Sequence, residues 1–422
     1  MELLLVAVWS FLMLLTFIYL PRIKKRLVCI DKYAYFWVII AVLVARLVPN
    51  FLTPAGNNYD IASYAIVGDL VLNRADVYTS QAAVNRHPYL PLQMYWLGLS
   101  RNISQVVHLE FVDVVRLAPI LADLGIALLI FFELRRKISL EVGFYSALLF
   151  AFNPISIFVS AYHGQFDAEP ALLIILALVC VNKTAWLSGG WLGLAILDKS
   201  WPVLVLPSLL NATKKWLDRF IIIILVVGIP LFGVFIYSNL FHADPYMIVE
   251  KAIGYNRGIG IWGYTFFIKI FSIFAPSTQF IFRWILVYGR YLTLLLLGIV
   301  WLFFSKKEKP IAGFLTLIVT FFAITHAFAI QYLVWPVAFA ILDQDHRWLV
   351  RYTITAYIYM FLAYFTLILS YNIIRIMPMP QADWLIIIPS GLPAWVVTIF
   401  WMVKRLKNPQ INLQEIVQIP KL

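Results

Sequence analysis

The segment ELLLVAVWSFLMLLTFIYL-PRIKKR, residues 2–26, decides the class of fold. Its nineteen largely apolar residues, Glu2 to Leu20, match the roughly 20 that a helix needs to cross a hydrocarbon core about 30 Å thick. The basic residues Arg22, Lys24, Lys25 and Arg26 follow the run. A cleaved secretory leader has them in front, so the segment reads as a retained helix with its N-terminus outside. A second run, about 34–52, returns outward. Further runs fall near 114–132, 143–161, 168–182, 219–238, 284–304, 311–325, 329–342, 352–371 and 384–403. Two shorter runs, 186–197 and 201–210, flank Asp198-Lys199-Ser200 and bring the expected number of membrane segments to about thirteen.

Composition agrees. The 422 residues are 63% hydrophobic and 13% charged, with a mean hydropathy of +0.87. An ordinary soluble domain carries about 25% charge, so a cytosolic enzyme, a disordered chain and a disulfide scaffold are all excluded. Cys29 and Cys180 make no framework. The net charge of +12 would suit nucleic acid, but its placement indicates topology instead. Arg135-Arg136-Lys137, Lys214-Lys215, Lys306-Lys307-Lys309, Arg347, Arg351 and Lys404-Arg405-Lys407 all fall on the side assigned to the cytoplasm. The expectation is an all-α polytopic membrane protein with its C-terminus cytoplasmic. Its large connections face outward: 53–113, with room for interfacial helices, a short turn at 162–169, and 239–283.

Few charges remain outside this pattern, and they are the candidate site. Asp60, in the run Tyr59-Asp60-Ile61-Ala62-Ser63-Tyr64, sits where a carboxylate can meet a lipid headgroup, and as an ionised acid it can accept a proton from a hydroxyl. From spacing alone, a helix cap or a solvated loop acid is the simpler reading of the position. His87, within Arg86-His87-Pro88-Tyr89-Leu90-Pro91, belongs to a stiff, extended segment that can wall a pocket. Its role is either a phosphate or sugar contact or a structural hydrogen bond. Asn153-Pro154 inside an apolar run predicts a kink. It is followed by His163, Gln165, Asp167 and Glu169 between two spans. Lys199 lies between runs too short to cross. It is expected either to pair with its neighbour Asp198 or to reach an anionic headgroup. His326, Gln331 and Tyr332 fall at an outer junction, and Arg257, Arg283 and Arg375 are outer cations. Arg46 is expected to snorkel to the outer surface.

Four stretches together resemble the GT-C class of integral-membrane glycosyltransferases, in particular the GPI-assembly and phosphatidylinositol-mannoside mannosyltransferases. They are Tyr59-Asp60…Ser63-Tyr64, Asn153-Pro154…His163-Gly164-Gln165-Phe166-Asp167, Leu197-Asp198-Lys199-Ser200-Trp201-Pro202 and Gln331-Tyr332…Trp335. The resemblance implies a catalytic membrane core over 34–345, preceded by an additional helix and basic turn (1–33) and followed by C-terminal helices and a tail (346–422). It implies an inverting transfer of a hexose, with mannose the sugar of the relatives, from a polyprenyl-phosphate donor on the outer face of the cell membrane. The acceptor would be a glycolipid, a glycan or a protein; membrane lipids are the surroundings and no nucleic acid takes part. Asp60 would be the general base. Tyr59, Tyr64, His87, His163, Gln165, Asp167, Lys199, Arg257, His326, Gln331 and Tyr332 would contact donor phosphate or sugar. No cofactor is implied with certainty. Some relatives carry an Asp-X-Asp pair in the first outer loop, whereas here Asp60 is followed by Ile61 and Ala62, which gives a divalent metal no support. The principal rival is a lipid-linked sugar flippase or transporter, which would predict two related halves; none is found in the sequence.

Overall fold

The computed structural model describes residues 2–23, 33–52, 59–84, 86–181, 183–254, 262–305, 308–372 and 387–407. The described residues form helices joined by turns, without strands. Among the described residues, five helical stretches are long and apolar enough to cross a membrane: Leu4–Pro21, Ala34–Leu52, Phe111–Lys137, Trp216–Phe241 and Pro276–Phe303. The bent pair Leu140–Ala151 and Pro154–His163 makes a sixth if counted as one span, and five further apolar helices are shorter. The chain divides into two compact units, Met1–Asn256 and Arg257–Leu422.

In the first unit, α1 (Glu2–Ile23), α2 (Ala34–Leu52), α3 (Tyr59–Leu72), α4 (Leu92–Val107), α5 (Phe111–Val115), α6 (Leu117–Lys137) and α7 (Leu140–Ala151) follow in order. α8 (Pro154–Ile157) continues into a wide turn at Phe158–His163, and α9 (Ala168–Cys180), α10 (Ala185–Asp198), α11 (Leu206–Ala212), α12 (Trp216–Phe241) and α13 (Pro245–Gly254) complete the unit. The first outer connection therefore holds two helices, α3 and α4. Their apolar faces share a core with the end of α12, through Ile61, Tyr64, Val67, Met94, Leu97, Phe166 and Tyr237.

Arg46 does not snorkel. It is fully buried, and its Nε donates to Asp123 Oδ2 of α6 at 2.6 Å. Its two remaining nitrogens donate to the Ala151 carbonyl and to Ser156 Oγ, both at 2.9 Å, while Ser160 donates to the same Asp123 oxygen at 2.7 Å. A carboxylate on the neighbouring helix satisfies the guanidinium better than stretching to the surface would. The contacts fall on both sides of the Asn153-Pro154 break, where α7 and the segment after it meet at a 47° bend. The Asn153 side chain accepts from the Ile155 and Ser156 amides, capping the new helix.

The second unit contains α14 (Tyr264–Phe274), α15 (Gln279–Phe303), α16 (Pro310–Ile324), α17 (Trp335–Leu342), α18 (His346–Asn372) and α19 (Ile388–Lys407). Its organising contact is Arg405, fully buried, which bridges Asp343 at 2.8 Å, Asp345 at 3.2 Å and Glu308 at 3.8 Å and donates to Thr316 Oγ1. Trp262 stacks on Phe328 at 4.0 Å and donates its indole N–H to the Phe322 carbonyl.

Arg46→Met leaves Asp123 buried without its cation, a change of the kind that costs about 3–5 kcal/mol. The single variant should unfold at lower temperature in detergent. Adding Asp123→Leu should recover most of the loss, measured as the melting temperature of the purified protein.

Candidate active site

Asp60 lies in the first turn of α3, where the helix dipole favours a negative charge. It meets residues delivered by the turn after the Asn153-Pro154 break. That turn ends at Gly164 with φ of +79°, a left-handed conformation suited to glycine. A Cβ there would fall 2.8 Å from Ile61 Cδ1 and 3.0 Å from Arg116 Cγ. Arg116 donates to the Tyr162 carbonyl just before it. The reversal aims His163 and Gln165 at α3: His163 Nε2 is 2.9 Å from Asp60 Oδ2, and Gln165 Nε2 donates to the same oxygen at 2.6 Å. The Asp60 side chain stays 34% exposed while His163 is 8% exposed, so the acid is held from behind and reachable from in front.

Behind this layer is Lys199, at the break between α10 and the turn Trp201–Val205. It is 4% exposed and donates to the fully buried Asp167 at 2.7 Å. It does not self-pair with Asp198, whose carboxylate is buried and makes no hydrogen bond among the described residues. Lys199 also donates to Gln165 Oε1 at 3.4 Å. That contact orients the amide by chemistry. An ammonium only donates and an ionised carboxylate only accepts, so Gln165 must turn its oxygen to Lys199 and its nitrogen to Asp60. The result is a continuous chain: Asp167, Lys199, Gln165, Asp60.

Aromatic rings wall the cation. Lys199 Nζ is 4.3 Å from the Phe166 ring centroid and 5.3 Å from that of Tyr89, and Phe166 packs against both Tyr89 and Tyr64. Gln93 donates to Glu169, 3.3 Å from each of its oxygens. Tyr89 and Phe166 lie inside the quoted runs, and it is the fold that turns both rings toward the Lys199 cation. Gln93 carried no signal beyond being polar in an apolar helix.

Burial raises the Asp60 carboxyl, but the His163 hydrogen bond and charge, then Gln165 and the Lys199 charge, outweigh it and hold it below the ordinary value. Asp60 is thus ionised at neutral pH. Tyr64 is pushed well above a normal phenol by burial and the nearby carboxylate, so it stays protonated. His87 is pushed down to about 4 by burial, against an opposing pull from the Leu90 backbone. Packed edge-on between Tyr78 and Tyr89, it is a neutral ring in the wall rather than a cation facing a ligand. Tyr59 is exposed, with the Arg86 guanidinium 4.9 Å over its ring, and Arg86 donates to Ser63 at 3.0 Å.

The structure therefore brings together Tyr59, Asp60, Tyr64, His87, His163, Gln165, Asp167 and Lys199 in the first unit. His326, Gln331 and Tyr332 belong to the second unit, where the last two fall in the turn Ile330–Val334. Tyr332 packs on Trp335 at 4.3 Å. Arg257 and Arg375 lie outside the described residues. No three His, Cys, Asp or Glu side chains are grouped as metal ligands among the described residues.

The family model for glycosyltransferase family 87, a GT-C-type membrane family, matches residues 109–247. The match supports a membrane glycosyltransferase. It covers about a third of the chain and takes in His163, Gln165, Asp167 and Lys199, while Asp60 precedes it. No curated protein matches the chain. A membrane glycosyltransferase of the kind the match supports would act on a sugar donor and an acceptor within the bilayer.

Lys199→Met strands the buried Asp167 carboxylate and should lower stability by about 3–5 kcal/mol. Lys199→Met with Asp167→Leu should melt close to the unsubstituted protein, read by thermal unfolding in detergent.

Proposed function

We propose that the protein is an inverting glycosyltransferase that moves a hexose, mannose by its resemblance, from a polyprenyl-phosphate donor to a lipid-linked or glycan acceptor on the outer face of the cell membrane. The observation that carries this reading is an ionised, part-exposed carboxylate with one oxygen fixed by two side chains. A general base must be charged, immobile and within reach of a hydroxyl, and Asp60 meets each condition. The acceptor O–H transfers its proton to Asp60 as the acceptor oxygen attacks the anomeric carbon. The bond from that carbon to the phosphate oxygen breaks on the opposite face, and the phosphate leaves with the electron pair. A phosphate is already a stable anion, so the departing oxygen needs no acid.

His163 and Gln165 act in this reading as positioning residues for Asp60 rather than as donor contacts. Lys199 has its charge matched by Asp167 and acts through the Gln165 amide. Tyr59, Tyr64 and His87 line the approach, and Gln331, Tyr332 and Arg257 remain donor candidates. The N-terminus lies outside and the C-terminus inside, so the donor is a lipid-anchored sugar rather than a cytoplasmic nucleotide sugar. The lipid anchor suits an enzyme whose base sits at the end of membrane helices, since each buried CH₂ of the carrier contributes about 0.8 kcal/mol.

The test is purified full-length protein with radiolabelled polyprenyl-phosphate hexoses and a panel of glycolipid acceptors. Asp60→Asn keeps the shape and removes the base, and should lower transfer by about 10²- to 10⁴-fold. Undiminished transfer by that variant refutes the base. A donor that crosses sealed vesicles without transfer to any acceptor favours the flippase reading.

A second experiment reads the Gln165 contact. Gln165→Leu removes a hydrogen bond to the charged form of Asp60, so the carboxyl pKa must rise. The acidic limb of kcat/KM should therefore move to higher pH in the variant, with activity at neutral pH reduced less than at pH 5. An unmoved limb rules out the orienting role.

A further inference from the structure

The helix α1 stands apart from the catalytic core that the resemblance implies. Nearly all its residues are apolar, so its sequence marks no face for the protein. The structure gives it one. Val6, Ser10, Met13, Phe17 and Leu20, three or four residues apart, are buried, whereas Leu4, Val8, Phe11 and Tyr19 on the other side are exposed. Beside the buried stripe, Trp9 donates its indole N–H to the Ala45 carbonyl of α2 at 3.1 Å. In an unbroken helix that carbonyl accepts from the amide four residues on. Here the fourth residue is Pro49, which has no N–H to give. A carbonyl freed in this way within a membrane needs a donor from a neighbouring helix, and Trp9 is that donor.

The place of this contact matters. Ala45 immediately precedes Arg46, whose guanidinium holds Asp123, the Ala151 carbonyl and Ser156. One turn along α1, Met13 packs with Ala45, Ile120, Ile157 and Ala161, and the Trp9 and Phe152 rings lie against the same cluster. Ile157 and Ala161 belong to the short stretch between the Asn153-Pro154 break and His163. That stretch ends in a turn wider than an α-helix, closed by the Gln165 amide donating to the Val159 carbonyl at 2.9 Å. A side chain wedged against the flank of such a turn fixes where its last residues fall. α1 therefore rests at once on the freed carbonyl of α2 and on the segment that delivers His163 and Gln165.

We propose that Trp9 and Met13 are positioning residues for the base: α1 braces the turn before Gly164 against α2 and so sets the 2.9 Å contact of His163 with Asp60. The role in catalysis rests on the function proposed above; the bracing of the turn rests only on Trp9, Met13 and the groups they touch. Asp60 faces His163, Gln165 and Lys199, with Tyr64 on its own helix. Neither Trp9 nor Met13 carries a charge, so they reach the titration of Asp60 only through the placement of those partners. A looser His163 contact withdraws support from the charged carboxylate, which moves its titration to higher pH.

The test uses the full chain in nanodiscs, with amide hydrogen exchange followed by mass spectrometry and, separately, the pH profile of transfer. Trp9→Phe keeps a ring and removes the donor, and Met13→Ala removes the wedge. Each should speed exchange over 158–165 by about fivefold or more, the effect of one lost hydrogen bond. Each should also lower kcat by about tenfold with KM little changed, and move the acidic limb of kcat/KM to higher pH. Phe11→Ala, on the exposed side of the same helix, should leave all of these readings unmoved. Pro49→Ala added to Trp9→Phe supplies the Ala45 carbonyl with an amide from its own helix, and should restore slow exchange and the original limb. Unchanged exchange and an unmoved limb in folded Trp9→Phe and Met13→Ala protein overturn the proposal. So does exchange that quickens equally in every helix, the mark of a contact that serves stability alone. Faster exchange confined to the turn, in a protein that transfers no sugar from any donor, would uphold the bracing and sink the transferase reading alone.

Discussion

An ammonium that is 4% exposed needs a carboxylate, and in this protein that carboxylate is Asp167. The candidate site follows from that single pairing. With Lys199 fixed, the Gln165 amide has one allowed orientation. With Gln165 fixed, Asp60 receives a donor where it would otherwise meet a carbonyl oxygen and be repelled. The low dielectric that makes each of these charges costly also makes their arrangement definite, because few alternatives leave every group satisfied. The residues concerned come from three distant parts of the chain: the start of α3, the turn before α9 and the end of α10.

The same rule organises the rest of each unit. Arg46 with Asp123 ties α2 and α6 to both sides of the Asn153-Pro154 bend, and that bend sends the chain toward Gly164 and the site. In the second unit Arg405 collects the three described carboxylates at one end of its helices. A membrane protein with 13% charged residues has few groups with which to do chemistry, and nearly all of the buried ones treated above are committed to one another.

Much of this was legible before any coordinates. Apolar runs of helical length predicted the class of fold, since backbone groups in lipid must be satisfied within a helix or a closed barrel. The Asn-Pro step predicted a kink, and the kink is present. Asp60, His163, Gln165, Asp167 and Lys199 stood out because polar groups are scarce in such a chain. Their partners did not. Lys199 beside Asp198 reads as a self-pair, because adjacent residues are the only proximity a sequence displays. The tertiary structure instead presents Asp167, 32 residues away. Arg46 reads as a snorkelling side chain for the same reason, and it turns to a carboxylate 77 residues distant.

By itself, then, the sequence determined that the chain is helical and membrane-embedded, where its main helices run, and which few polar residues are too costly to be incidental. Hydrophobic length and charge scarcity are properties of local composition, and they need no knowledge of what packs where. Only the tertiary structure decided which charge meets which, that His163 and Gln165 converge on one oxygen of Asp60, and that His87 is a buried neutral ring. Those outcomes depend on contacts between segments far apart in the chain, and on the electrostatic energy of each pair in a medium that screens them poorly.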